Sequence, residues 1–302
     1  METAAATHHA DPRPLWRQVW DFPLVAMLVA LVALYLMLWA AQWMLFYTLP
    51  AGMDAAADAT IRAAVAVLAT LFIYKLVIRR LGAQPRDDLP GVGALGDTAL
   101  GLGVGAAVFA VVVGLAAIFG VYRIYGTGTL EGAVAFAMAG GVVAGFVEEV
   151  IFRGIVFRWV EELGGSWAAL AVSSALFGLA HGMNDGATWF STLAVAVEAG
   201  LLLGGAYMLT RTLWLAIGIH AGWNLTQGLV FDVPVSGFPV EGAVEAALDG
   251  PELLTGGAFG LEASVLALIV AGAAGVWLIW QARKEGRWVS PMWRRQVIAP
   301  SR

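Results

Sequence analysis

Long apolar stretches dominate this chain of 302 residues. Its residues are 60% hydrophobic and only 13% charged, and its mean hydropathy is +0.79, whereas a soluble domain carries about 25% charged residues. A membrane-spanning helix needs roughly 20 apolar residues. The stretches that meet this need are residues 23–48, 60–78, 98–122, 133–158, 166–182, 187–209, 212–231 and 261–281. The sequence therefore predicts an all-α, polytopic membrane helix bundle of about eight transmembrane helices.

The abundance of small residues and the absence of some patterns and residue types further limit which kinds of membrane protein this chain can be. The chain has 37 glycines, and small residues let membrane helices approach one another closely. The alternating pattern of a membrane β-barrel is absent. The chain has no cysteine, which removes disulfides, thiol catalysis and Cys-ligated metals. We expect no cleavable signal peptide, because the first apolar run is too long for one and lacks a clear cleavage site.

The basic residues predict the orientation of the bundle. They fall on one side of the eight-span arrangement, in the N-terminal segment, in alternate loops and in the C-terminal tail. The opposite loops are acidic, with Arg123 as the main exception and Arg62 at a boundary. The positive-inside rule then places both termini in the cytoplasm of a cell-membrane protein. Seven spans would place the basic tail outside.

We expect a single transmembrane domain over residues 23–281. A cytoplasmic segment, residues 1–22, precedes it, and a basic cytoplasmic tail, residues 282–302, follows it. Residues 232–260 form a long acidic external loop. A short helix near Glu241–Leu248 is considered there, either as an amphipathic lid or within a plain solvated connector.

The first of three polar clusters contains Glu148, Glu149 and Arg153 inside an apolar stretch. Residues four apart share a helix face, so Glu149 can pair with Arg153 and leave Glu148 free for another partner. Charges at membrane depth cost several kcal/mol, which makes such residues functional candidates. The alternative is a plain charge cluster near the cytoplasmic end of the helix.

Two further clusters lie in the following apolar stretches. The segment from Phe177 to His181 places an aromatic ring one turn before a histidine, which could also be a capping or interfacial residue. His220 and Asn224 share a helix face, and the alternative for them is a hydrogen-bonded pair between helices. Three such clusters in one chain predict one buried polar cavity.

A carboxylate beside imidazoles supports two related chemistries. A glutamate can act as general base on water while His and Asn stabilise an oxyanion. Alternatively, Glu and His ligands can hold a metal-bound water. Both predict hydrolysis of an acyl bond within the membrane. Other intramembrane protease designs fit poorly, because the chain lacks HExxH and Gly-x-Ser-Gly elements and has Ala94 where an aspartyl motif needs glycine.

These motifs resemble those of the CPBP family, which includes type II CAAX prenyl endopeptidases and bacteriocin-processing or self-immunity proteins. The family pattern is EExxxR, FxxxH and HxxxN on successive helices, and all three appear in order within residues 130–230. The resemblance implies an intramembrane endopeptidase acting on a membrane-embedded or lipidated protein or peptide in the bilayer, and no nucleic-acid partner. Its cavity is expected to open towards the cytoplasm.

The resemblance also implies roles for six residues. Glu148 and His181 would activate water, His220 and Asn224 would stabilise the oxyanion, and Glu149 and Arg153 would support the cavity. If a divalent metal such as zinc takes part, its ligands would be Glu148, His181, His220 and Asn224. The predicted helix ends nevertheless place Glu148 roughly 14 Å and His181 about 22 Å from the cytoplasmic side, although one shared water requires equal depth.

Two other functions remain open from the sequence. A non-catalytic family member could bind or scaffold a partner, or act as an immunity protein, through the same cavity. A transporter could use Glu148, Glu149 and His181 as a proton relay, although its usual repeated halves are not seen. Glu198 lies outside the motifs and is either an extra acid or a residue that lines the cavity.

Overall fold

The computed structural model describes residues 13–295, so residues 1–12 of the predicted N-terminal segment and 296–302 of the predicted tail lie outside the described residues. Its main elements, in chain order, are α1 (Leu15–Trp20), α2 (Pro23–Thr48), α3 (Ala55–Leu76), α4 (Ala94–Ile118), β1 (Tyr122–Thr127), a bent helical stretch (Ala133–His181), α7 (Trp189–Thr210), α8 (Trp214–Leu225), β2 (Val244–Leu248), α9 (Glu252–Thr255) and α10 (Val265–Lys284). The two arms of the bent stretch, residues 133–164 and 166–181, are called α5 and α6. Wider, π-helical turns occupy Ala137–Glu148 and Val150–Phe157 in α5 and Thr226–Val230 after α8.

The predicted all-α, polytopic membrane bundle is confirmed, and the chain is an integral membrane protein. Within the described residues, six helices are long and apolar enough to cross a membrane: Pro23–Thr48, Ala55–Arg80, Ala94–Ile118, Ala133–His181, Trp189–Thr210 and Val265–Lys284. The predicted spans 133–158 and 166–182 are the two arms of one stretch, and span 212–231 corresponds to the short α8 with its π-helical turn. The predicted count of eight spans therefore stays a prediction.

Gly165 turns the chain back on itself between α5 and α6. Its φ of 79° and ψ of 176° are non-helical, in a region that favours glycine, and a Cβ there would lie 2.8 Å from the carbonyl oxygen of Val289. The arms run antiparallel, since Ser173 Oγ donates to the carbonyl oxygen of Phe152 at 2.9 Å. Because α5 continues to residue 164, Glu148 and His181 lie at similar distances from the turn. The depth difference expected from the predicted helix ends is therefore wrong.

Glycines allow α8 to pack closely against α4. A Cβ at Gly105 would lie 2.2 Å from the carbonyl oxygen of Ile219, and one at Gly222 would lie 2.3 Å from that of Leu102. Small residues at such crossings let helix backbones touch. This contact fixes α8 in rotation and depth, and α8 carries His220 and Asn224.

Buried apolar side chains form two large clusters and one small one. The first joins α2, α3, α5 and α8, with Trp159 and Tyr74 fully buried. The second fills the space between α4, α7, α8 and α10 around Phe109. The small cluster, which contains Phe152 and Phe177, lies beside the polar residues of the predicted site.

A two-stranded sheet lies within the loops that were expected to be irregular or helical. β1 pairs antiparallel with β2, from Tyr122 opposite Leu248 to Thr127 opposite Val244, with a bulge between Ile124 and Gly126. The short helix considered near Glu241–Leu248 is therefore wrong. The residues after α4 supply a partner strand, and such a distant pairing overrides local preference.

Loops meet at two opposite ends of the bundle. At the basic end, residues 77–93, 159–168, 210–213 and 285–295 are linked, for example by Arg158 Nη1 donating to the carbonyl oxygen of Arg86 at 3.1 Å and by an Arg211–Glu161 pair at 2.5 Å. At the cavity end, residues 119–132, 182–188 and 231–264 are linked, for example by Asn184 Nδ2 donating to the carbonyl oxygen of Ser236 at 3.0 Å. The two ends differ sharply in charge.

Candidate active site

Glu149, Arg153 and His220 form a buried polar group between α5 and α8. Arg153 Nη1 lies 2.9 Å from Glu149 Oε1, as the spacing of four predicted. His220 Nδ1 lies 3.0 Å from the same oxygen. Both side chains of the Glu149–Arg153 pair are fully buried. Since a carboxylate accepts but does not donate, His220 carries its hydrogen on Nδ1 when Glu149 is ionised, and the other ring nitrogen is the one left for another partner.

Arg153 also ties α5 to its neighbours. Its Nη2 donates to the carbonyl oxygen of Ala199 in α7 at 2.9 Å, and its guanidinium carbon lies 4.7 Å from the ring centre of Phe177 in α6. A guanidinium over an aromatic face is a favourable contact. Arg153 thus joins three helices at the level of the predicted catalytic residues.

Glu148 and His181 face each other across the α5–α6 hairpin. Glu148 Oε2 lies 3.8 Å from His181 Nε2, and the two side chains are 31% and 12% exposed, respectively. His181 Nδ1 lies 2.8 Å from the carbonyl oxygen of Phe177 and must donate there. In the neutral ring, Nε2 is then an acceptor beside Glu148. The ring stacks on Phe177 with centres 4.4 Å apart, so Phe177 orients the histidine as well as packing.

Asn224 lies one turn beyond His220 and spans the gap between α8 and α5. Its Nδ2 donates to the carbonyl oxygen of Gly140 at 2.8 Å. An amide nitrogen has two hydrogens, so this bond fixes the side chain and leaves one donor for a ligand. Asn224 is 7% exposed.

A large cavity, called the outer cavity, brings these groups together. Glu148, His181, His220 and Asn224 all line it, and Phe152 and Ile151 form part of its apolar wall. Glu149 and Arg153 lie behind the wall and hold it in place. The structure therefore gathers all six predicted site residues around one space.

The outer cavity lies towards the cavity end of the bundle. Asn184, Val235, Ser236 and Phe238, all from loops at that end, line it. The outer cavity is therefore bounded by loops at the end of the bundle opposite the basic end. The expected opening towards the cytoplasm stays a prediction, because it depends on which end of the bundle faces the cytoplasm.

The donor set does not form the metal site considered from the sequence. No group of three or more His, Asp or Glu side chains within residues 13–295 is arranged to hold a metal ion. Nδ1 of His220 is directed at Glu149, and Asn224 is held by the Gly140 carbonyl. The carboxylates instead lie against imidazoles, Glu148 against His181 and Glu149 against His220.

One acidic residue near the site was missed by sequence reasoning. Glu262, from the loop before α10, is 5% exposed and accepts hydrogen bonds from Ser236. Its only sequence signal was an acid at the start of the last predicted span. Glu198 was singled out, and it does line a cavity beside the histidines.

Residues 130–226 match the family model described as "Type II CAAX prenyl endopeptidase Rce1-like". The chain contains an Rce1-like domain. The predicted CPBP relationship is thereby confirmed, and the domain is of a CAAX-type intramembrane protease family. The matched residues include all three motifs and every residue of the Glu148–Asn224 set. Comparison with curated proteins and with solved structures gave no match.

Proposed function

We propose that this protein is an intramembrane endopeptidase that hydrolyses a peptide bond of a membrane-embedded or lipidated protein or peptide. The observation that carries the proposal is the Glu148–His181 pair, which lies on the wall of a large cavity. Within residues 13–295, Oε2 of Glu148 is buried and has no hydrogen-bond partner. A buried polar atom without a partner is rare in proteins and calls for an explanation. A bound water that awaits activation supplies one.

In the proposed reaction, Glu148 and His181 hold a water between them. Glu148 takes a proton from this water as its oxygen bonds to the substrate carbonyl carbon. The carbonyl oxygen becomes an oxyanion, to which the free amide hydrogen of Asn224 and the protonated ring of His220 donate. The C–N bond then breaks, and the leaving amine takes the proton from Glu148. Glu149 and Arg153 position His220 throughout.

The Glu148→Gln variant tests this proposal. Gln keeps the size of the side chain but cannot act as a base, so cleavage should fall about 10²–10⁴-fold. Reconstituted protein is incubated with a library of transmembrane and lipidated peptides, and fragments are identified by mass spectrometry. The matched control is Glu245→Gln, an exposed carboxylate on β2, which should cleave like the wild type.

Two outcomes would count against the proposal. Undiminished cleavage by a well-folded Glu148→Gln variant would remove Glu148 from the reaction. A wild-type protein that cleaves nothing in the library, yet needs an open cavity for its cellular role, would favour the binding or scaffold function. Thermal unfolding of each variant checks that folding is unchanged.

We infer further that both termini lie in the cytoplasm of a cell membrane, with the cavity end outside. Basic residues support this orientation because the positive-inside rule assigns their side to the cytoplasm. Those at or near the basic end are Arg13, Arg17, Lys75, Arg79, Arg80, Arg86, Arg158, Arg211, Arg283, Lys284, Arg287, Arg294 and Arg295. Of the 17 basic residues, the exceptions are Arg62, Arg123 and Arg153, and Arg302 lies outside the described residues.

This orientation changes the expected source of the substrate. In this orientation the outer cavity lies towards the extracytoplasmic side of the membrane, because loops of the cavity end line it. The substrate would then be a membrane-bound protein or peptide whose cleaved bond lies towards the extracytoplasmic side.

The cysteine-free chain allows a direct test of sidedness. Single cysteines are introduced at Glu131, exposed at the cavity end, and at Ala83, exposed at the basic end. A membrane-impermeant maleimide should label Glu131→Cys in intact cells and Ala83→Cys only after lysis. The reverse pattern would place the cavity on the cytoplasmic side. This result does not depend on cleavage.

A further inference from the structure

A second cavity lies behind the catalytic histidines. The walls of this inner cavity, which is narrow, include Val195, Glu198, Leu202, Ile219, Glu262 and Ala271. His181, His220, Asn224 and Ser236 line both the inner and the outer cavity. A group bound at the catalytic residues could therefore extend a side chain between them into the inner cavity.

Glu198 is an unusual residue for such a place. It lies in the middle of α7 and is only 3% exposed. Its Oε2 has no hydrogen-bond partner among the described residues. Arg153, the buried cation of the site, donates instead to Glu149 and to the carbonyl of Ala199. A buried carboxylate without a partner costs stability, so its presence points to a ligand that supplies the missing interaction.

Glu262 adds a second carboxylate to the same cavity. Its Oε1 accepts from the backbone nitrogen of Ser236 at 2.6 Å and from Ser236 Oγ at 2.8 Å. These bonds hold the side chain in position. Glu198 and Glu262 line the same cavity, so the two carboxylates repel each other when both are ionised. A positive group between them would relieve this repulsion.

The wall of the inner cavity indicates which cation fits. Its remaining lining is mainly aliphatic, from Val195, Leu202, Leu203 and Ile219. Lys and Arg side chains have an apolar stem and a charged head, and they bury the stem against apolar surface. No three-ligand group for a metal ion is present in the described part of the chain. An organic cation on an aliphatic stem therefore suits the cavity better than a metal.

We propose that the inner cavity is a specificity pocket that takes the Lys or Arg side chain of the substrate residue next to the scissile bond. Glu198 and Glu262 bind the charged head, and the aliphatic wall holds the stem. This proposal rests on the proposed endopeptidase function. Because it fixes the position of that residue relative to His181 and His220, the pocket also sets which peptide bond reaches Glu148.

The test compares peptides that differ only in carrying lysine or norleucine, an uncharged residue of similar length, at each position in turn. The wild-type protein should cleave next to lysine at least about tenfold faster, in kcat/KM, than next to norleucine. Glu198→Gln should reduce this ratio towards one while cleavage of the norleucine peptide persists. Glu262→Gln provides a second variant with the same expected direction. Glu245→Gln, outside both cavities, should keep the wild-type ratio.

The failure of this inference differs from the failure of the proposed function. Cleavage with no preference for a basic residue at any position would overturn the specificity pocket and leave the protease intact. If the wild type cleaves none of the peptides, fluorescence anisotropy measures binding of the labelled lysine and norleucine peptides to it. Equal affinities would overturn the pocket, whereas tighter lysine binding that is lost in Glu198→Gln would support it.

Discussion

Both ends of the bundle contain buried charged residues, but these residues differ in the partners that they contact. At the basic end, Asp88 is fully buried and meets Arg86 Nε at 2.6 Å and the hydroxyl of Tyr74 at 3.1 Å. Glu161, 2% exposed, meets Arg211 at 2.5 Å and accepts from Ser166 Oγ at 2.7 Å. Each of these carboxylates has both a cation and a hydroxyl as partners.

The carboxylates near His181 and His220 are of two kinds. Glu149 is held by Arg153 and His220, as at the basic end. Glu148 lies against the imidazole of His181, at 3.8 Å, rather than against an arginine, and Glu198 has no ion-pair partner among the described residues. Paired buried charges need their partners for stability, whereas unpaired polar groups cost stability. We infer from this difference that the charged pairs at the basic end stabilise the fold, whereas the carboxylates at the cavities can interact with a substrate.

The largest effect should follow from breaking a pair at the basic end. Asp88→Asn leaves the Arg86 and Arg158 guanidiniums without their carboxylate, and removing one partner of a buried pair costs about 3–5 kcal/mol. The free energy of unfolding in detergent should fall by this amount. Glu148→Gln should lower it by much less, because Glu148 lies 3.8 Å from a histidine and has no arginine partner among the described residues. Equal destabilisation by both variants would remove the distinction between the two ends.

Sequence spacing predicted which residues lie together better than it predicted the path of the chain. The pairing of Glu149 with Arg153 follows from helix geometry, and the order of the motifs led to six residues that the structure brings together. The turn at Gly165 was not recognised, because its position depends on contacts with Val289 and Pro291 far along the chain. That omission produced the false depth difference between Glu148 and His181.

Distant contacts explain the other misses. β2 exists because residues 122–127 pair with it, and nothing local in residues 244–248 specifies a strand. Glu262 reaches the site because Ser236 and the loop before α10 fold over the cavity. Sequence patterns report the periodicity within an element, and they carry little information about which loops meet.

An intermediate effect should follow from separating α8 from α4. A leucine at Gly105 would collide with the backbone of Ile219, and such overpacking costs about 1–3 kcal/mol. Gly105→Leu should lower the free energy of unfolding and also reduce cleavage per folded molecule, because α8 carries His220 and Asn224. Gly103→Leu is the matched control, since Gly103 is exposed and a Cβ there meets no atom within 4 Å. Normal stability and cleavage in Gly105→Leu would show that this contact does not position the site.

The smallest effect concerns a polar group at the cavity end that has a hydrogen-bond partner. It tests whether the effect of a substitution depends on having a partner or on lying at that end of the bundle. The hydroxyl of Tyr122 in β1 donates to the carbonyl oxygen of Phe231 at 3.0 Å. Tyr122→Phe should cost about 1 kcal/mol of unfolding free energy and leave cleavage unchanged, as expected of a group with a partner. A loss of cleavage at constant stability would show instead that all polar groups at this end serve the reaction.

The pH dependence of the same variant identifies the hydroxyl as the cause. Burial, with a smaller contribution from Asp232, raises the pKa of Tyr122 from 10.0 to about 12. A raised pKa in the folded state means that folding favours the protonated phenol, so this stabilisation is complete below about pH 10 and is lost as the pH rises towards 12. The difference in unfolding free energy between the wild type and Tyr122→Phe should therefore be constant up to about pH 10 and shrink above it. A difference that persists unchanged at pH 12 would assign the stabilisation to ring packing rather than to the hydrogen bond.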